Sequence, residues 1–205
     1  MLKTADLTKR YGGKPVIRGL SLVWPNPGVH LVAGPNGVGK STLLALLGGA
    51  LAADAGDIRI AGLSLKSDPD RARRNLSYCP PDCPVFPFLT GRDWLAFVRS
   101  LRRGWSRHTE AALTEAFRLE GILDTRFDRL SLGTARKLLL VGAVAAETDV
   151  LLLDEPSNGL DGPSLRALQD TVREQASTRL IILACHETAR HPGFGITPEN
   201  TLLLP

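Results

Sequence analysis

Eight consecutive residues, Gly34-Pro35-Asn36-Gly37-Val38-Gly39-Lys40-Ser41, constrain this chain more than any other segment. They match G-x-x-x-x-G-K-[ST]. Gly34, Gly37 and Gly39 allow backbone conformations that a side chain would forbid. Successive N–H groups in such a loop turn inward and form an anion-binding concavity. The apolar run Val29–Ala33 before the loop reads as a buried strand, and Ser41–Ala53, rich in Leu and Ala, reads as a helix after it. The positive end of that helix then also faces the anion. In this setting Lys40 reaches β- and γ-phosphates, the Ser41 hydroxyl suits Mg²⁺, and Thr42 lies in the same first turn. Pro35, Asn36 and Val38 complete the cradle. ATP with Mg²⁺ is the expected ligand.

A second half of the site lies far along the chain. Val150-Leu151-Leu152-Leu153 is an apolar strand that ends in two acids, Asp154 and Glu155. Asp154 is placed to hold the Mg²⁺ shell. Glu155 is a candidate general base for an attacking water. A third apolar strand, Leu180–Ala184, is followed by His186, and the carboxyl ends of strands collect ligands in open α/β sheets. His186 is expected to contact the γ-phosphate and the water. His30 reads as a strand residue, and His108 and His191 have no motif around them.

The order of elements points to an α/β sheet. Val150–Leu153 and Leu180–Leu183 read as central parallel strands, with Ser164–Gln175 as the crossover helix between them. Residues 1–28 read as short strands joined by turns at Tyr11-Gly12-Gly13 and Pro25–Gly28, and Asp57–Gly62 as a half-buried strand. The middle of the chain changes character. Pro80, Pro81, Pro84 and Pro87 crowd a loop, and Trp94–Arg103 and His108–Leu119 read as amphipathic helices. The chain is expected to be a single domain over 1–205. Residues 1–75 and 136–205 form its core, and residues from about 76 to 135 form a helical insertion.

Composition narrows the classes. The formal charge of +4 comes with few aromatics and without a basic stripe, which argues against a dedicated nucleic-acid binder. Cys79, Cys83 and Cys185 do not make a disulfide framework, and Cys79 and Cys83 lack a second pair of ligands for a metal. Neither a secretory signal nor an apolar run of roughly 20 residues is visible. A cytoplasmic protein is expected, held at the inner face of a membrane only through a partner.

Several elements together resemble the ATP-binding cassette family over nearly the whole chain. Leu130-Ser131-Leu132-Gly133-Thr134 resembles the family signature LSGGQ. Leu153-Asp154-Glu155-Pro156-Ser157, followed by Asn158-Gly159-Leu160-Asp161, resembles the acidic motif and D-loop. The resemblance implies a P-loop NTPase core with a mainly parallel sheet, an N-terminal antiparallel β subdomain and a helical insertion. It makes Tyr11 the aromatic residue on which adenine stacks, His186 the switch histidine and Asp161 a D-loop residue. It also implies that Ser131 and Gly133 complete the nucleotide site of a second copy in a head-to-tail dimer. Ser131 equally reads as a helix N-cap. Pro81 stands where the family carries Gln or Glu, and Leu132 and Thr134 replace signature Gly and Gln. The implied function is the ATP-hydrolysing subunit of a membrane transporter, with a separate transmembrane permease as partner. Phe86, Phe88, Leu89 and Trp94 are candidate docking residues, with Trp94 expected mainly in the core. The alternative is a soluble or regulatory cassette uncoupled from transport.

Overall fold

The computed structural model describes residues 1–82, 85–185 and 192–204. His186, His191, Cys83 and Pro84, named above, lie outside the described residues.

The chain opens with two long strands rather than several short ones, β1 (Leu2–Tyr11) and β2 (Lys14–Trp24). They pair antiparallel, with Tyr11 opposite Lys14. The two residues between them, Gly12 and Gly13, have φ of 54° and 82°. A two-residue turn with both φ positive matches the right-handed twist of a hairpin, and glycine adopts it without strain. With β4 (Ala55–Ile60) and β5 (Leu63–Ser64) these strands make an antiparallel sheet of order β2-β1-β4-β5.

The second sheet is wholly parallel. Its order is β6-β7-β8-β3-β9, built from β3 (Gly28–Ala33), β6 (Leu76–Cys79), β7 (Val150–Asp154), β8 (Leu180–Ala184) and β9 (Thr201–Leu203). The expected α/β core is therefore present, with one change of boundary. The β6 strand was expected in the helical insertion, yet it pairs with β7 as an edge of the core sheet. Four residues beside a proline-rich loop are too short to announce a strand.

Strand periodicity explains why β7 and β8 are apolar throughout. Val150 and Leu152 join a core formed with Leu43, Leu46 and Leu47 of α1 (Lys40–Leu47), and with Leu2 and Leu7 of β1. Leu151 and Leu153 point the other way, into a core with Leu138 and Val141 of α5 (Leu132–Ala145) and Leu168 and Val172 of α6 (Gly162–Gln175). Each fully buried Leu or Val contributes about 1.5–3 kcal/mol. Both faces of the sheet are covered, so its carboxyl edge is the free place for chemistry.

The four longer helices begin where side chains cap them. Thr90 and Asp93 form a reciprocal capping box at α3 (Gly91–Ser100), and Ser106 accepts from Thr109 N at α4 (Arg107–Ala116). A short helix, α2 (Pro69–Arg73), precedes β6. The α1 helix stops at Leu47, not at Ala53 as its composition suggested. Gly48 and Gly49 follow, and Gly49 has φ of 66°, a left-handed termination. The α5 helix starts at Leu132, where Ser131 caps it.

Candidate functional site

The loop between β3 and α1 carries three glycines in conformations closed to most residues: Gly34 (φ 148°), Gly37 (φ 78°) and Gly39 (φ 109°). Space is as tight as conformation. A Cβ on Gly34 would lie 2.9 Å from Leu204 O, and one on Gly39 would lie 2.6 Å from Val16 Cγ1. The α1 helix begins at Gly39 without a side-chain cap and without an acid in its first turn. Its positive end is thus left for an anion.

Lys40 is buried, and its ammonium donates to Gly34 O at 2.8 Å and Pro35 O at 3.0 Å. The lysine folds over its own loop and fixes a positive charge at the loop's mouth. Ser41 Oγ donates to Asp154 Oδ1 at 3.2 Å, across 113 positions of sequence. A hydroxyl and a carboxylate in contact, beside a phosphate cradle, are hard oxygen donors of the kind Mg²⁺ takes together with phosphate oxygens. Ser41 and Asp154 therefore fit the expected metal. Among the described residues, no group of three or more His, Cys, Asp or Glu gathers into another metal site.

Glu155 follows β7 in a left-handed conformation with φ of 50°, unusual for a non-glycine residue. Its N–H donates to Ala184 O at 2.8 Å, and its carbonyl accepts from Asn158 N at 3.1 Å. The turn lifts the chain off the sheet and leaves both acids buried at the strand end. Cys185 lies under them. Burial first, and then the Glu155 and Asp154 charges, push its thiol up to about 12.

A cavity of about 660 Å³ opens beside the phosphate loop, lined by Lys14, Val16, Arg18, Gly37 and Val38 among others. Its size suits a nucleoside, and Gly37 and Val38 join it to the phosphate cradle. Tyr11 ends β1 with its ring half exposed and the Lys9 ammonium 5.8 Å from its centroid. Thr42 follows Ser41 in the first turn of α1.

The signature and D-loop segments pack on each other within the chain. Ser131 Oγ accepts from Thr134 N at 3.2 Å, so its capping role is present. A Cβ on Gly133 would lie 3.2 Å from Gly159 O. Asp161 caps α6 by accepting from Ser164 N at 2.9 Å, and it also takes a hydrogen bond from Lys137 Nζ at 2.9 Å. The Lys137 bond, with the Ser164 contacts behind it, holds the Asp161 carboxyl well below the usual carboxylate range. Leu132, in a signature position usually glycine, is three-quarters exposed.

Two contributors were missed in the sequence. Lys137 ties α5 to the D-loop. Arg136 is buried and donates to four carbonyl oxygens around the acid pair. Each is a charged residue inside an otherwise apolar helix, a signal present in the sequence and left unread.

A parallel sheet whose carboxyl edge brings a glycine-rich lysine loop onto an acid pair defines the P-loop nucleoside-triphosphate-binding class. Comparison with known proteins narrows this. A family model described as ABC transporter matches residues 17–158. The chain is 35% identical to the daunorubicin/doxorubicin resistance ATP-binding protein DrrA of Streptomyces peucetius over 175 residues, covering 84% of this chain and 53% of the relative. It is 34% identical to the Nod factor export ATP-binding protein I of Rhizobium meliloti over 190 residues, covering 90% and 56%. It is 33% identical to the glucosylceramide transporter ABCA12 of Mus musculus over 187 residues, covering 88% and only 7%. This chain thus spans little more than half, or far less, of the length of these relatives.

A solved structure of an ATP-binding subunit of an ABC transporter superposes with a TM-score of 0.86 at 26% identity, covering 100% of this chain and 85% of that one. A dimeric cassette solved with ADP and Pi gives 0.78 at 20% identity over 94% and 91%, a likeness of fold. The chain belongs to the ABC transporter family and is an ATP-binding cassette. Among its described residues no helix is long and apolar enough to cross a membrane.

Proposed function

We propose that this cassette hydrolyses ATP to drive a separate transmembrane permease, closing on a second copy of itself head to tail around the nucleotide. The observation that carries the reading is the contact between Ser41 and Asp154, which joins the phosphate loop to the acid pair in one site.

In this reading Lys40 exchanges its two loop carbonyls for β- and γ-phosphate oxygens, a charge-assisted replacement for two neutral bonds. The amides at the α1 N-terminus receive the remaining phosphate charge. Ser41 and Asp154 hold Mg²⁺, which supplies neutralisation of the phosphate charge when bound. Glu155 accepts a proton from water as its oxygen bonds to the γ-phosphorus, and the bond from γ-phosphorus to the β–γ bridging oxygen breaks. His186 orients that water and the γ-phosphate. Tyr11 stacks on adenine. Ser131 and Gly133 of the second copy close over the γ-phosphate, and Asp161 holds the D-loop at that junction.

The permease's docking place is a groove of about 380 Å³, lined by Tyr78, Pro80, Val85, Trp94, Phe97 and Leu101. Phe97 and Leu101 are exposed there, and the stacked, exposed pair Phe86 and Phe88 lies in the same segment. Apolar side chains held open in this way fit a membrane subunit's cytoplasmic helix. The relatives named for export favour outward transport. The cassette then sits on the cytoplasmic face of the membrane through that partner.

The test is steady-state hydrolysis with Mg²⁺ and ATP. The purified chain should turn over, and Glu155→Gln should abolish turnover while binding ATP as tightly as the parent. Unchanged turnover in that variant removes Glu155 as the base.

A further inference from the structure

Arg136 is among the most deeply buried charges of the described residues. It sits one turn into α5, is 4% exposed, and spends its guanidinium on backbone alone. Nη1 donates to Pro80 O at 2.8 Å and Pro81 O at 2.5 Å. Nη2 donates to Asp154 O and, at 2.9 Å, to Glu155 O. One planar group thus bridges two segments more than seventy positions apart in sequence. The two nitrogens are held at a fixed separation by the guanidinium plane, which an ammonium cannot reproduce.

Both ends of the bridge are unusual. Pro80 has its φ fixed by its own ring and its ψ confined to the extended region by Pro81 after it, so the direction of its carbonyl is largely set by the chain itself. Glu155 is in a left-handed conformation, and that conformation aims its side chain. Its N–H is tied to Ala184 O, and its carbonyl is tied to Arg136. Pro80 also lines the apolar groove between α3 and β6. One turn therefore touches the docking groove on one side and, through Arg136, the catalytic peptide on the other.

We infer that Arg136 is a positioning residue for hydrolysis. It locks the Glu155 peptide against the Pro80–Pro81 turn, so that displacement of the turn from the groove displaces the carboxylate. This rests on the reading of Glu155 as the base. Where the family's Gln or Glu side chain is replaced by Pro81, the link runs through backbone oxygens and this arginine.

The experiment compares Arg136→Lys with the parent by ATP hydrolysis, ATP binding and amide hydrogen exchange. The variant should lose roughly 10- to 100-fold in kcat, as for a misplaced catalytic group, with KM and ATP affinity changed less than about twofold. Exchange should rise in residues 76–82 and 154–158 together, and stay unchanged in β1 and β2. Normal kcat, a KM that moves in step with kcat, or exchange raised throughout the chain would each overturn the inference. Should Arg136→Lys not fold, Pro81→Gly at the exposed turn carries the same test. It should lower kcat about 3- to 10-fold at constant KM, and an unchanged kcat refutes the link. Glu155→Gln/Arg136→Lys separates this inference from the assignment of the base. The exchange increase in both segments persists there if the bridge is real, whatever the turnover of Glu155→Gln alone.

Discussion

Replacing Gly39 by alanine tests whether the phosphate loop owes its shape to glycine. Gly39 has φ of 109° and ψ of 16°, beyond the left-handed well that other residues tolerate. Holding an L-residue there costs of order 1–3 kcal/mol. The new Cβ would also stand 2.6 Å from Val16 Cγ1, with Val16 O at 3.7 Å. Val16 is β-branched, so its methyl cannot swing away freely, and overpacking of this kind costs about 1–3 kcal/mol more. The sum, about 2–6 kcal/mol, is a large part of a typical stability of about 5–15 kcal/mol. In a chain of this length it should lower the melting temperature by about 4–24 °C. Adding Val16→Ala should recover only the clash and leave about 1–3 kcal/mol of backbone strain. ATP titration of Gly39→Ala should weaken at least about tenfold, because the loop amides no longer converge. A melting temperature within a degree or two of the parent refutes the reasoning. So does full rescue by Val16→Ala, which leaves no backbone strain to explain.

Three further outcomes are expected. Lys40→Ala should weaken ATP binding by about 10- to 100-fold, since a buried ammonium at the phosphate cradle is lost, and a normal titration contradicts this. Lys137→Met should cost less than about 1 kcal/mol of stability, because its Asp161 partner is exposed. The Asp161 carboxyl is held below its unfolded value, so its contribution is complete above the ordinary carboxylate range and is lost only as pH falls through the depressed value. The stability difference between parent and variant should therefore be flat from pH 8 to about pH 4 and shrink only below that, and a difference that disappears by pH 6 contradicts the pairing. Cys185, buried and pushed up to about 12, should resist alkylation at pH 8 in the folded chain, and labelling at the rate of an exposed thiol would contradict its placement under the acids.

The parts of the site that were legible in sequence are those built from contiguous residues. Gly34 to Ser41 is a loop whose chemistry and conformation are local, and Val150 to Glu155 combines a strand signal with its terminal acids. Ser41 and Asp154 are both expected at Mg²⁺ from their motifs, and the fold brings them into contact. What escaped was set by long-range packing. The β6 and β9 strands are too short to carry periodicity, and only pairing to neighbours defines them. The length of α1 was overread because Leu and Ala continue to favour helix where Gly48 and Gly49 end it. The Thr90–Asp93 capping box was available in sequence and would have placed the start of α3 correctly. Arg136 and Lys137 looked like polar residues of a leucine-rich helix, and only the fold reveals which backbone oxygens and which carboxylate they meet. Tyr11 and Asp161 show the limits of motif matching, since each also has a role in its own chain: a strand end beside a hairpin turn, and a helix cap.

In the proposed cycle ATP closes two copies of this chain on each other through the signature residues. Sedimentation of the Glu155→Gln variant with Mg²⁺ and ATP tests it directly. The variant should be a monomer without nucleotide and with ADP, a dimer with ATP, and should lose that dimer when Ser131→Arg places a bulky cation at the signature. A Glu155→Gln chain that binds ATP and stays monomeric at every protein concentration, or that dimerises equally well with Ser131→Arg, contradicts it.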